Sequence, residues 1–137
     1  MNKSRNPSLR RKANAKGRSP ENGRHVRFHL WMMDSDAFRD LSPHEVRLLL
    51  EVYSLYSGKN NGWVFLSCRD AARRCKMSKD TASKCFQSLI NHGFLVRRAH
   101  YPERHELREA PYFILTEFEF NGRPATKDFM SWKPSKK

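Results

Sequence analysis

Residues 67–98 read SCRDAARRCKMSKDTASKCFQSLINHGFLVRR and hold eight of the chain's 27 Lys and Arg residues against only two acids, Asp70 and Asp80. Within them Ala82, Cys85, Phe86, Leu89 and Ile90 follow the i, i+3, i+4, i+7 spacing of a buried helix face. Lys79, Ser83, Lys84 and Gln87 then fall largely on the opposite face, with Ser78 and Thr81 at the N-terminal end. Short hydroxyl side chains let a backbone approach a surface closely, while Lys and Gln reach outward as hydrogen-bond donors. A helix N-terminus adds its dipole and its free N–H groups. This set suits a polyanion with a groove wide enough for a helix, which describes the major groove of duplex DNA. Arg69, Arg73 and Arg74 on the preceding helix, and Arg97 and Arg98 on the following strand, would flank it as phosphate clamps. A face that was merely solvated would mix its charge signs.

The chain as a whole has 137 residues and a net charge of +13. That length bounds one domain with tails, and so large a surplus favours a polyanionic partner. The surplus is uneven: residues 1–24 carry eight basic residues against one acid, whereas residues 25–66 carry four against five. Residues 1–24 also lack aromatic and β-branched residues. They cannot bury enough apolar surface to offset their ordering entropy, so a disordered basic tail is expected there. Such a tail either solubilises the domain or lies along phosphates as an arm.

The positions that would hold this surface fall into a readable order. Phe28, Leu30, Trp31, Met32 and Met33 make an apolar lead-in, followed by a helical turn over 34–40. Ser42, Pro43 and Glu45 form a helix start with a capping residue, a first-turn proline and a reciprocal acid, and the helix runs to about Tyr56. Its dense apolar content marks it as the central scaffold. A turn over 58–62 precedes a short apolar strand over 63–66. Ser67 caps the next helix, which ends near Cys75, with Asp70 in the box position. Lys76 and Met77 turn the chain into the helix over 78–92, capped by Ser78 and stopped by Gly93. Residues 94–98 and 112–116 read as strands joined by a polar, hairpin-like stretch with Pro102 at its tip. The expected class is α+β, with a folded unit over 25–117 and a C-terminal extension over 118–137.

The run Ala71-Ala72-Arg73-Arg74-Cys75-Lys76-Met77-Ser78-Lys79-Asp80-Thr81-Ala82-Ser83-Lys84, continued by Phe86, Leu89, Gly93, Phe94 and Leu95, resembles the winged helix-turn-helix domains of bacterial regulators of the GntR and MarR kinds. The resemblance covers about residues 42–116. It implies a three-helix core with a short sheet and wing, and DNA contacts at Ser78, Lys79, Thr81, Ser83 and Lys84. Two departures stand out. Lys76 occupies a turn position where the family often has glycine, and Glu103, Glu106 and Glu109 load the wing tip with acids.

Other chemistry finds little purchase. Among Cys68, Cys75, Cys85, His92, His100 and His105 only the pair His100 and His105 has a zinc-ligand spacing, and the cysteines read as small core thiols. An odd number of them suits a reducing compartment. No phosphate-cradle, metalloprotease or nucleophile-elbow motif occurs, so no catalytic residue, metal or cofactor is expected. No apolar run could span a membrane, and no apolar segment follows the basic N-terminus. A cytoplasmic, nucleoid-associated protein follows as the expectation. In the C-terminal extension Phe118, Phe120, Phe129, Met130 and Trp132 either fold back on the domain or dock a protein partner or second copy. The functional expectation is a sequence-specific binder of double-stranded DNA, a small bacterial or mobile-element transcription regulator. Two alternatives stay open: a replication-initiation or accessory protein of a plasmid or phage, and an RNA-binding or ribosome-associated protein.

Overall fold

The computed structural model describes residues 23–98 and 112–135. The expected tail over 1–24 lies almost wholly outside the described residues, as do the hairpin stretch with Pro102, the acids Glu103, Glu106 and Glu109, and the pair His100 and His105. Within the described residues the class is α+β. Five α-helices and a three-stranded antiparallel sheet follow the order α1 (Leu30–Met33), α2 (Asp36–Asp40), α3 (Pro43–Leu55), β1 (Val64–Phe65), α4 (Cys68–Cys75), α5 (Lys79–Asn91), β2 (Leu95–Arg98) and β3 (Tyr112–Leu115). A short 3-10 turn at Asp128–Met130 closes the chain onto this body.

The lead-in differs from its expected form. Leu30–Met33 is itself a helical turn, and Ser35 both ends it and begins α2: its hydroxyl donates to the Met32 carbonyl at 2.6 Å and accepts from the Phe38 N–H at 3.2 Å. One serine serving two helix ends has no distinct sequence pattern. The start of α3 is as read, with the Ser42 hydroxyl accepting from the Glu45 N–H and the Glu45 carboxylate accepting from the Ser42 N–H at 2.8 Å. Leu48, Leu49, Val52 and Tyr53 are its buried residues, while Leu50 faces solvent. The Ser67 hydroxyl accepts from the Asp70 N–H, but Asp70 turns its carboxylate to Arg73 at 3.4 Å instead of closing a box. Lys76 takes the left-handed turn conformation with φ 54°, at a cost of about 1 kcal/mol relative to glycine.

The sheet runs in the order β1-β3-β2, with Val64 opposite Phe113, and Arg97 opposite Phe113 on the other side. Its inner face packs on α5 through Phe86 and Phe113, whose rings stack at 5.0 Å. After β3 the C-terminal segment folds back on the body. Phe118 stacks on Tyr56 at 4.2 Å, buried Phe129 stacks on Phe94 at 4.8 Å, and Trp132 lies against His92 at 4.6 Å. These contacts enlarge a core that a domain of this size would otherwise leave thin.

Among the described residues one acid is buried. Glu117 accepts a hydrogen bond from the Tyr53 hydroxyl and has His29 Nε2 at 3.7 Å. Burial, reinforced by the Glu117 charge, raises the Tyr53 phenol well above the usual tyrosine value. A phenol that holds its proton longer folded than unfolded contributes stability that is whole below about pH 10 and is lost as pH rises further, by up to about 1.4 kcal/mol per pH unit. Tyr53→Phe is therefore expected to lose about 1–3 kcal/mol at neutral pH, because Glu117 loses its donor. It should also flatten the decline above pH 10. Urea unfolding of both proteins from pH 7 to 11 checks the two effects.

Candidate nucleic-acid interface

The helix pair α4–α5 is built from local signals. The Ser78 hydroxyl accepts from the Thr81 N–H at 3.1 Å and donates to Thr81 Oγ1 at 2.8 Å, so these two residues spend part of their polarity on starting α5. Ala82, Cys85, Phe86 and Leu89 are buried, as their spacing predicts. The helix ends with the Gly93 N–H on the Ile90 carbonyl and the Phe94 N–H on the Leu89 carbonyl, both at 3.0 Å, with Gly93 at φ 86°. This is the reciprocal pattern of a left-handed helix stop.

The outward side of α5 is open. Lys79, Ser83, Lys84 and Gln87 are exposed and Thr81 is half-buried. Lys79, Ser83 and Gln87 form one row at i+4 spacing, with Lys84 beside it. Gln87 donates to Asn91 at 3.0 Å, which orients its amide along the helix. Among the described residues no ion pair engages Lys79, Lys84 or Arg69. The C-terminal segment leaves these side chains exposed, and Trp132 lies against His92, at the end of α5.

The flanking arginines divide. Arg69 and Arg73 are exposed on α4, and Arg73 has only its i−3 partner Asp70. Arg74 is drawn toward α3: its guanidinium lies 3.5 Å from Glu51, whose other oxygen takes Arg47 at 2.6 Å, while Arg47 also donates to the Arg74 carbonyl at 3.0 Å. Arg74 thus helps to fasten α4 to α3. The Arg47–Glu51 pair has i,i+4 spacing within α3, whereas the link to Arg74 crosses between helices. Arg97 shares the inner side of the sheet with Phe113 and is exposed, so it points to the side on which α5 packs. Arg98 is not brought to that side. Strand alternation sets it on the outer face, with its guanidinium 4.1 Å from the Trp63 ring centroid and donating to the Gly62 carbonyl at 3.3 Å.

The cysteines sit in the helix packing. Cys85 is buried, Cys68 and Cys75 pack against the core, and burial pushes the thiols of Cys75 and Cys85 up. Among the described residues no group of three His, Cys, Asp or Glu side chains is placed to hold a metal ion. No helix among them is long and apolar enough to cross a membrane. A cavity of about 290 Å³ opens between residues 23–29 and 53–58, with Glu117 on its wall, already bonded to Tyr53. Among the described residues, α4, α5 and Arg97 together present Arg69, Arg73, Lys79, Lys84, Gln87 and Arg97 as exposed cations and donors. No protein-family model matches the chain, and no curated protein or solved structure matches it, so what this surface does has to be read from its own chemistry.

Proposed function

We propose that the chain is a winged-helix protein that binds double-stranded DNA sequence-specifically, acting as a small transcription regulator of bacterial or mobile-element type. The observation that carries this reading is the exposed outer side of α5, lined by Lys79, Ser83, Lys84 and Gln87 and not overlain by the C-terminal segment. The order helix, strand, helix, helix, strand, strand, with β3 between β1 and β2, supports the winged-helix assignment. In this reading the first turn of α5 enters the major groove, Lys84 and Gln87 reach base edges, and Lys79, Arg69, Arg73 and Arg97 neutralise phosphates. Ser78 and Thr81 keep the helix start compact enough for close approach. Binding then combines base readout with a salt-sensitive phosphate contribution.

The test is selection of duplex fragments at near-physiological salt, with structured RNA as competitor. A shared duplex motif, held against RNA, is the expected outcome, and its location distinguishes a promoter regulator from a replication protein acting at iterated origin sites. Displacement of duplex by an equal amount of structured RNA would overturn the reading.

A further inference from the structure

An antiparallel sheet with one face on the core normally presents polar side chains on the other. Here the six outward positions are Trp63, Phe65, Val96, Tyr112, Ile114 and Arg98, with no acid among them. Trp63, Phe65 and Val96 are 47%, 45% and 39% exposed. Phe65, Tyr112 and Arg98 stand opposite one another in a single row across the three strands. The Tyr112 ring meets Trp63 edge-on and Phe65 at a tilt, both at 5.6 Å, so the aromatic positions are fixed by each other.

Arg98 is fixed as well. Besides its contact with Trp63 it lies 5.7 Å from the Phe120 ring centroid. Phe120 in turn rests directly on Gly62, where a Cβ would come within 2.3 Å of the ring. Exposed Arg123 is joined to Phe120 by two backbone hydrogen bonds, at 2.9 and 3.1 Å, which brings a second cation to the rim.

We propose that this outer sheet face binds unpaired bases of single-stranded nucleic acid, stacking them on Trp63 and Phe65 while Arg98 and Arg123 meet the phosphates. Duplex DNA keeps its base faces inside the stack and offers nothing to exposed rings, so the site is distinct from α5 and does not rest on the duplex reading. A second copy laid face to face would bring Arg98 toward its own counterpart, and none of the six outward positions is an acid that could offset it. A plain apolar partner would bury the guanidinium with a neutral carbonyl, that of Gly62, as its acceptor and no anion to offset its charge. A single strand supplies both ring faces and anions, and the net charge of +13 favours it throughout.

The test measures anisotropy of labelled oligothymidylate and oligouridylate at near-physiological salt, using the full chain. Trp63→Leu and Phe65→Leu keep apolar bulk and remove the ring. Base–aromatic stacking is worth about 1–3 kcal/mol per base, so each variant is expected to weaken strand binding roughly 5- to 150-fold. Duplex binding should be unmoved, and Lys79→Ala with Lys84→Ala should leave strand binding unmoved. Should Trp63→Leu fail to fold by circular dichroism, Phe65→Leu carries the measurement, because its ring supports no arginine. Binding of one oligonucleotide and not the other supports the site and assigns the sugar. No binding of either overturns it, as does wild-type strand affinity in a folded leucine variant. Sedimentation showing a dimer that Trp63→Leu dissolves, with strand affinity unchanged, overturns it in favour of self-association.

Discussion

Replacing Gly93 with alanine is expected to destabilise the fold by about 3 kcal/mol. Two effects combine at this position. The backbone has φ 86°, where a Cβ costs about 1–2 kcal/mol against the following carbonyl. The added Cβ would also lie 2.7 Å from the Asp128 carbonyl carbon and 2.7 Å from the Phe129 nitrogen. Backbone atoms cannot rotate away as a side-chain tip can, so the C-terminal turn must shift, and with it the Phe129 ring stacked on Phe94. Overpacking of this kind costs about 1–3 kcal/mol. Gly122 provides the control: its φ is 77°, yet nothing lies within 4 Å of its added Cβ, so Gly122→Ala should show the conformational cost alone. The measurement is the urea midpoint of both variants at constant m-value. Equal losses at the two glycines would mean that the C-terminal segment does not press on the end of α5.

Gly93 also marks where legibility in the sequence stops. As a helix stop it was readable, because the left-handed conformation is a local demand that glycine meets best. Its second role, admitting the backbone of Asp128 and Phe129, joins residues more than thirty positions apart and leaves no local mark. The same division runs through the rest of the chain. Ser42, Ser67 and Ser78 cap the helices they were expected to cap, since a cap is decided within four residues. The buried side of α5 followed from spacing alone. Arg74 and Arg98 group with the clamp residues by charge, and charge does not say which way a residue faces. Register does: Arg98 pairs across from Tyr112, one position out of phase with the inward Phe113, which turns it away from α5. The role of Asn61 is not legible in the sequence for a similar reason. Its side chain accepts from the Leu115 N–H at 2.7 Å and donates to the carbonyls of Leu115 and Glu119, finishing the end of β3 as a neighbouring strand would. An asparagine in a glycine-bounded loop looks like ordinary turn chemistry until its distant partners are known.

The α5 surface yields the second large effect. The double variant Lys79→Ala, Lys84→Ala is expected to weaken duplex binding on the order of 10²-fold, since contacts of this kind contribute about 1–3 kcal/mol each. Its folding stability should stay within about 0.5 kcal/mol of the parent, because both side chains are exposed on the helix surface. Salt dependence then separates the two lysines' roles. A lysine that neutralises a phosphate lowers the slope of log affinity against log salt by about one when removed, and weakens all duplexes alike. A lysine that reaches a base edge leaves the slope nearly unchanged and narrows the gap between the preferred site and others. Lys79, at the first turn, is expected to behave in the first way and Lys84 in the second. Deleting residues 1–24, with eight basic residues against one acid, should lower the slope further while leaving the preference among sites intact. If the double variant binds duplex as the parent does across the salt range, α5 does not enter the groove, and the cations of residues 67–98 serve some other polyanion.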